Sequence, residues 1–164
     1  MPSDGGDAER APRFSLGALS EDDAREVLAW RYPAPYDFYN ADQDPEDAAL
    51  FLDPAFRQRH LIAARDGRGV LRGFFEFHAL ADAVEIGLGL RPQDTGQGLG
   101  AAFLATGLAW ARERYAPDLP RLYVAEFNER AVKVYMAGGF RVVGRETRQL
   151  LGRSWPFLVM ERPL

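Results

Sequence analysis

The sequence predicts one α/β domain: a mixed, mostly antiparallel sheet with a central parallel strand pair, flanked by helices. An apolar run over residues 84–90 has the length of a strand, and it is followed by a polar bend and glycines at 96, 98 and 100. Ala101, Ala102, Phe103, Leu104, Leu108, Ala109 and Trp110 then recur at the three-and-four spacing of a helix. A short apolar run over 122–125 follows, and a strand, a crossover helix and a second strand in this order make a parallel pair. On either side of this unit, the runs 61–65 and 70–77 flank Asp66-Gly67-Arg68-Gly69 as a hairpin, and the runs 140–150 and 155–162 close the domain as an antiparallel pair.

The 164 residues, 47% of them hydrophobic and 27% charged, suffice for one good core and would be cramped as two. We therefore read residues 13–164 as a single domain. Residues 1–12, rich in Gly, Asp and Pro, are expected to be a disordered tail rather than a signal peptide. A net charge of -4 argues against sequence-independent nucleic-acid binding, which needs a basic face. Without cysteine, neither disulfides nor a thiol nucleophile are available. His60 and His78 lack metal-ligand spacing and are read as strand-flanking residues, so no metal is expected. No run is long and apolar enough to cross a membrane, which leads to an expected cytoplasmic location.

Taken in order, residues 13–19 alternate as a strand does, and Ser20 with Asp23 forms an acidic capping box for a helix reaching Trp30. Residues 30–40 hold five aromatics, with Pro33 and Pro35 excluding a regular helix. This stretch reads either as the wall of an acceptor site or as a cover over the core. Pro45 opens a short helix over 45–52. The run 84–90 follows antiparallel to 70–77. The helix from Leu99 ends near Tyr115, Pro117 and Pro120 bracket a loop, and Asn128 caps the helix that follows the 122–125 strand.

The glycine turn is where chemistry enters. The first amides of a helix lack internal partners and carry the positive end of its dipole, so a turn without Cβ atoms lets a phosphate approach them closely. Gly96-x-Gly98-x-x-Ala101 formally matches the dinucleotide fingerprint, but residues 91–95 intervene after the strand and Glu126 lies too far along. A glycine-rich helix entrance with no ligand is the bland alternative.

The segment Asn128-Glu129-Arg130-Ala131-Val132-Lys133-Val134-Tyr135-Met136-Ala137-Gly138-Gly139-Phe140, together with the Gly98-x-Gly100 turn, resembles the GNAT superfamily of acetyl-CoA-dependent N-acetyltransferases. In that superfamily a strand, a (Gln/Arg)-x-x-Gly-x-(Gly/Ala) loop and a helix bind the CoA diphosphate. A later helix carries Asn-x-x-Ala-x-x-x-Tyr and ends in Gly-Phe. The second half matches position by position, whereas Thr95 stands where the family usually has Gln or Arg. The resemblance spans residues 84–140 and the rest by layout. It implies a GNAT-like sheet, acetyl-CoA as co-substrate, and Thr95, Gly96, Gln97, Gly98, Leu99 and Gly100 around the diphosphate. It also implies Leu88, Gly89 and Leu90 along the pantetheine arm, Asn128 bonding that arm, and Tyr135 giving its proton to the departing thiolate. Arg130 and Lys133 are read as facing solvent, with either able to reach a phosphate.

Amine acetylation needs a base for the ammonium proton, a donor for the carbonyl oxygen and an acid for the thiolate. Glu85 is the first candidate base, with Glu76 and Glu126 as alternatives. Tyr123 occupies the place, five residues before Asn128, where some members carry a glutamate. The main chain of Leu88, Gly89 and Leu90 is the nearest source of a donor for the thioester oxygen. Gly87 and Gly89 are expected to permit a bulge that splays this strand from 122–125, although glycines for tight packing are a rival reading. The leading expectation is transfer of acetyl to a primary amine in a ternary complex. A non-catalytic acyl-CoA-binding module and, more weakly, a nucleotide-binding oxidoreductase remain alternatives. The partner is an amine, small-molecule or peptide, and a dimer through the closing hairpin is plausible.

Overall fold

The computed structural model describes residues 13–115 and 119–162, so the expected tail and Pro117 lie outside the described residues. Seven strands form one sheet: β1 (Ser15–Ala18), β2 (Leu61–Arg65), β3 (Leu71–Ala79), β4 (Ala83–Leu90), β5 (Leu119–Ala125), β6 (Arg141–Leu150) and β7 (Arg153–Glu161). Their spatial order is β1-β2-β3-β4-β5-β7-β6, antiparallel throughout except for β4 beside β5. Five helices accompany them: α1 (Glu21–Ala29), α2 (Pro45–Leu52), α3 (Pro54–His60), α4 (Gly100–Tyr115) and α5 (Glu129–Ala137). The fold class read from the sequence is the one observed.

Local signals explain most boundaries. The Ser20 hydroxyl accepts from the Asp23 amide at 3.0 Å, and the Asp23 carboxylate accepts from the Ser20 amide at 2.9 Å, closing the capping box. Sequence reading missed α3, although its signature repeats that of α2. Asp44-Pro45 and Asp53-Pro54 each place a capping carboxylate before a proline in the first turn, with Asp53 accepting from Ala55 at 3.1 Å. Pro120 lies inside β5 rather than in a loop, because β5 begins at Leu119.

The pleat sorts side chains onto two faces. Phe75, Phe77, Val84, Ile86, Leu122, Val124 and Met160 meet Phe103, Leu104 and Leu108 of α4 in one core. Leu61, Ala63 and Leu71 meet Ala24, Val27, Trp30 and Phe51 in a second core under α1 and α2. Each fully buried aromatic or aliphatic side chain of this kind contributes about 1.5–3 kcal/mol.

One expectation about β4 fails. Its pairing with β3 runs in unbroken register from Val84↔Ala79 to Leu90↔Gly73, with no bulge at Gly87 or Gly89. Gly89 serves packing instead: a Cβ there would sit 2.6 Å from the Phe74 ring of the facing strand. The splay is nevertheless present, and it arises on the other side of β4. Pairing of β4 with β5 stops after Ala83↔Leu119, Val84↔Pro120 and Glu85↔Arg121, so residues 86–90 and 122–125 diverge as the walls of an open slot.

Candidate functional site

β4 runs into a 3₁₀ turn, Pro92–Asp94, and then into the glycine loop. Asp94 is the anchor of this passage. Its carboxylate, 4% exposed, accepts from Arg72 at 2.6 and 2.9 Å and from Arg91 at 2.6 Å. Burial pushes this carboxyl up, but hydrogen bonds and charge from the two guanidiniums more than offset that and hold it below the usual carboxylate range.

Beyond Asp94 the loop turns its side chains back on itself. The Thr95 hydroxyl donates to Pro92 O at 2.8 Å, and the Gln97 amide donates to Gln93 O at 2.7 Å. Each of these side chains thus donates one hydrogen bond within the loop. The main-chain amides of residues 96–99 have no acceptor among the described residues, and Leu99 O takes the first helical bond, from Phe103, at 3.0 Å. Gly98 has a φ of +77° and open space around it, so its backbone conformation is what requires glycine. Gly100 instead faces Val134 of α5, 3.2 Å from where a Cβ would lie.

On the opposite rim, Asn128 caps α5, its side-chain oxygen accepting from Ala131 N at 3.2 Å. Its amide nitrogen donates to the Tyr39 hydroxyl, also at 3.2 Å. Burial raises the Tyr39 phenol pKa, while bonds from Asn128 and the Ala125 backbone pull it down. Two turns beyond Asn128, Tyr135 sits near Phe140, and burial followed by the neighbouring Tyr39 pushes its phenol well above the ordinary value. The structure thus brings together Asn128 and Tyr135, which the sequence singled out, with Tyr39, which it did not.

Tyr39 arrives on the aromatic stretch 30–40, which crosses the mouth of the slot as a strap. At one end Tyr32 donates its hydroxyl proton to Leu90 O at 2.5 Å, on the β4 rim. At the other, Tyr36 lies under the Arg130 guanidinium at 4.3 Å, and Phe38 packs against Tyr39, Phe127 and Trp155. None of residues 36–39 is fully buried. Of the two readings of this stretch, its aromatics reach the slot rather than only closing a core.

Leu88 and Leu90 turn their side chains into the α4 core, leaving main chain to line the slot. Glu85 occupies the last paired position, at the closed end, opposite His78 of β3. Glu76 lies on that same face, its Cβ 3.5 Å from the Cβ position of Gly87. Glu76 is not alone: its carboxylate contacts His78 Nε2 at 2.6 Å, and the His78 ring stacks on His60 at 4.1 Å. His60 directly precedes β2, as expected of a strand-flanking residue, whereas His78 does not flank a strand. His78 lies within β3, and His60 ends α3, where Nδ1 donates to Phe77 O at 2.9 Å. Asp47 of α2 has its carboxyl raised by burial and by the charges of Asp44 and Glu76. Glu126 is bound to Arg145, on β6. Among the described residues no group of three or more His, Asp or Glu side chains could hold a metal ion.

A strand pair that parts beside unpaired loop amides, with a capping Asn and a Tyr on one helix, outlines the candidate site. Residues 22–140 match the acetyltransferase (GNAT) family, and the chain belongs to it. Mycothiol acetyltransferase of Clavibacter sepedonicus is 31% identical over 143 residues, covering 83% of this chain and 45% of that protein. The enzyme of the same name from Salinispora arenicola is 40% identical over 94 residues, 54% of this chain and 31% of that protein. The chain thus spans less than half the length of these curated relatives. Among solved structures, spermidine N-acetyltransferase from Vibrio cholerae in complex with CoA and spermine superposes with a TM-score of 0.73 at 18% identity, covering 90% of this chain and 94% of that one. A GNAT-family acetyltransferase from Bacillus anthracis gives 0.69 at 15% identity, with 93% and 95% covered. At these identities the likeness concerns the fold.

Proposed function

We propose that the protein transfers an acetyl group from acetyl-CoA to a primary amine by direct attack within a ternary complex. The observation that carries this reading is the parting of β4 and β5 after Glu85↔Arg121 beside the unpaired amides of residues 96–99. Such a slot admits an extended arm whose phosphates meet the start of α4. The main chain of Leu88, Gly89 and Leu90 faces that arm, and Asn128 bonds it from the far rim.

In the reaction the acceptor nitrogen attacks the thioester carbon, the carbon–sulfur bond breaks, and the nitrogen loses a proton. Glu85, on the acceptor face at the closed end of the slot, is assigned that proton, directly or through water. Main-chain N–H groups of residues 88–90 meet the charge on the carbonyl oxygen. Tyr135, whose phenol burial keeps protonated, is assigned the proton that goes to the leaving sulfur. Without cysteine, no thioester with the enzyme forms. Two copies of the chain are proposed to pair through the β6–β7 hairpin, where Val142 and Val143 are exposed, and sedimentation checks this.

The test is release of CoA thiol from acetyl-CoA in the presence of an amine panel that includes spermidine and spermine, beside calorimetry with acetyl-CoA, CoA and NAD. We expect acetyl-CoA binding and thiol release with at least one amine. Binding without release on any amine would identify a non-catalytic acyl-CoA module, and tight NAD binding without acetyl-CoA binding would end the reading altogether. With an acceptor in hand, Glu85→Gln should lower kcat roughly 10²- to 10⁴-fold. An unchanged kcat would move the base to Glu76.

A further inference from the structure

Three arginines surround the glycine loop, and they differ in how their charge is used. Arg72 and Arg91 are both consumed by Asp94, the former also reaching Asp66 at 3.1 Å. Arg130, on the first turn of α5, is different. Its Nη1 lies 3.2 Å from where a Cβ on Gly96 would be, and its guanidinium stacks over the Tyr36 ring at 4.3 Å. Among the described residues no carboxylate pairs with it. A long cation is therefore held against the loop at the place where the unpaired amides begin, with its charge unspent.

Resting on the acetyl-CoA reading above, we infer that Arg130 is the cation of the cofactor's diphosphate site and that Tyr36, from the acceptor-side strap, positions it. The loop itself supplies no such charge. Thr95 stands where a long Gln or Arg would be, and its hydroxyl is turned back to Pro92. Arg130 restores the missing donor from a different element. A planar guanidinium offers paired N–H donors matched to phosphate oxygens, and an aromatic ring beneath it limits the rotamers it must give up on binding. Gly96 completes the arrangement, since its φ of +72° and missing side chain leave the guanidinium room against the backbone. Tyr36 thereby ties the acceptor strap to cofactor affinity, although its own ring need not touch the cofactor.

The experiment compares acetyl-CoA, its 3′-dephospho form and S-acetylpantetheine, which has no phosphate diester, by calorimetry on wild type, Arg130→Gln and Tyr36→Leu. Arg130 is exposed, so its replacement should leave the fold intact. In Arg130→Gln the ratio of acetyl-CoA to S-acetylpantetheine affinity should fall roughly 10- to 100-fold, as expected for loss of a charged hydrogen bond. The 3′-dephospho form should lose as much. Tyr36→Leu should lower the same ratio roughly 3- to 10-fold, and should add nothing when Arg130 is already Gln. Equal weakening of all three ligands, or no weakening, overturns the assignment while leaving the acetyl-CoA reading standing. A loss confined to the ligand carrying the 3′-phosphate overturns the diphosphate placement. Failure of wild type to bind any of the three overturns both readings.

Discussion

On one side of the slot, where we propose that the cofactor binds, the glycine loop passes directly into sixteen residues of α4, and α5 packs alongside with its Asn128 cap and Tyr135 on one face. On the other side, proposed to receive the acceptor, residues 30–40 cross the opening without regular structure beyond one 3₁₀ turn, held by Tyr32 on Leu90, Tyr36 under Arg130 and Tyr39 on Asn128. The first wall is fixed by backbone: helix termini and positive φ values present donors whatever the neighbouring side chains are. The second is fixed by side chains at scattered spacings, each of which can be exchanged without disturbing an element. In the proposed function, the first construction suits binding of a constant cofactor and the second suits selection of a variable amine.

The contrast gives predictions of descending size. Gly98→Glu puts a side chain where φ is +77° and a negative charge where phosphate approaches, so acetyl-CoA binding should be abolished. Unchanged affinity in a folded variant would remove the loop from the cofactor site. Tyr135→Phe keeps the ring and deletes the acid, and kcat should fall roughly 10²- to 10⁴-fold with little change in acetyl-CoA affinity. A near-normal kcat beside a lowered melting temperature would make Tyr135 a packing residue. Because its folded-state pKa lies above the unfolded one, Tyr135 adds no pH dependence to stability until pH passes about 10, and above that its contribution is lost. The melting-temperature difference between wild type and Tyr135→Phe should stay constant between pH 6 and about 9 and move against wild type above about pH 10, which checks the sign.

The smallest effect belongs to the strap. Tyr39→Phe retains the ring among Phe38 and Phe127 and removes only the oxygen that accepts from Asn128. We expect kcat/KM to fall by about threefold to tenfold, the size of one neutral hydrogen bond, and the loss should disappear in an Asn128→Ala background. Additive losses would mean that Tyr39 acts on the acceptor independently of Asn128.

The same contrast governs what could be read from the chain. The glycine turn, Asn128 and Tyr135 follow a spacing imposed by helix geometry, and all of them fall where the sequence put them. The capping box at Ser20 and the hairpin turn at 66–69 were legible for the same reason, each being a local rule, although the positive φ falls at Gly69 and not at the Asp66-Gly67 pair. Tyr39 lies 89 residues from Asn128, and His60 lies 18 residues before its stacking partner His78, with β2 and a hairpin turn between; no periodicity joins such pairs. The expected bulge shows the limit from the other side. Of the glycines at 87 and 89 only Gly89 is required by packing, against Phe74 of the neighbouring strand, and the opening is made where β5 turns away.

That parting has a mechanical consequence. With only three residue pairs joining β4 to β5, the sheet is in effect a four-stranded leaf, β1 to β4, hinged to a three-stranded leaf, β5, β7 and β6. Backbone donors and acceptors along the two inner edges have no ladder between them, so an extended ligand that bonds to both would behave as an inserted strand. The leaves are otherwise tied by the α4 crossover and by the aromatic strap that reaches from Leu90 to Asn128. Occupying the cleft should therefore stiffen the whole sheet, and slowed hydrogen exchange at the inner edges of both leaves would register it at sites no substrate touches.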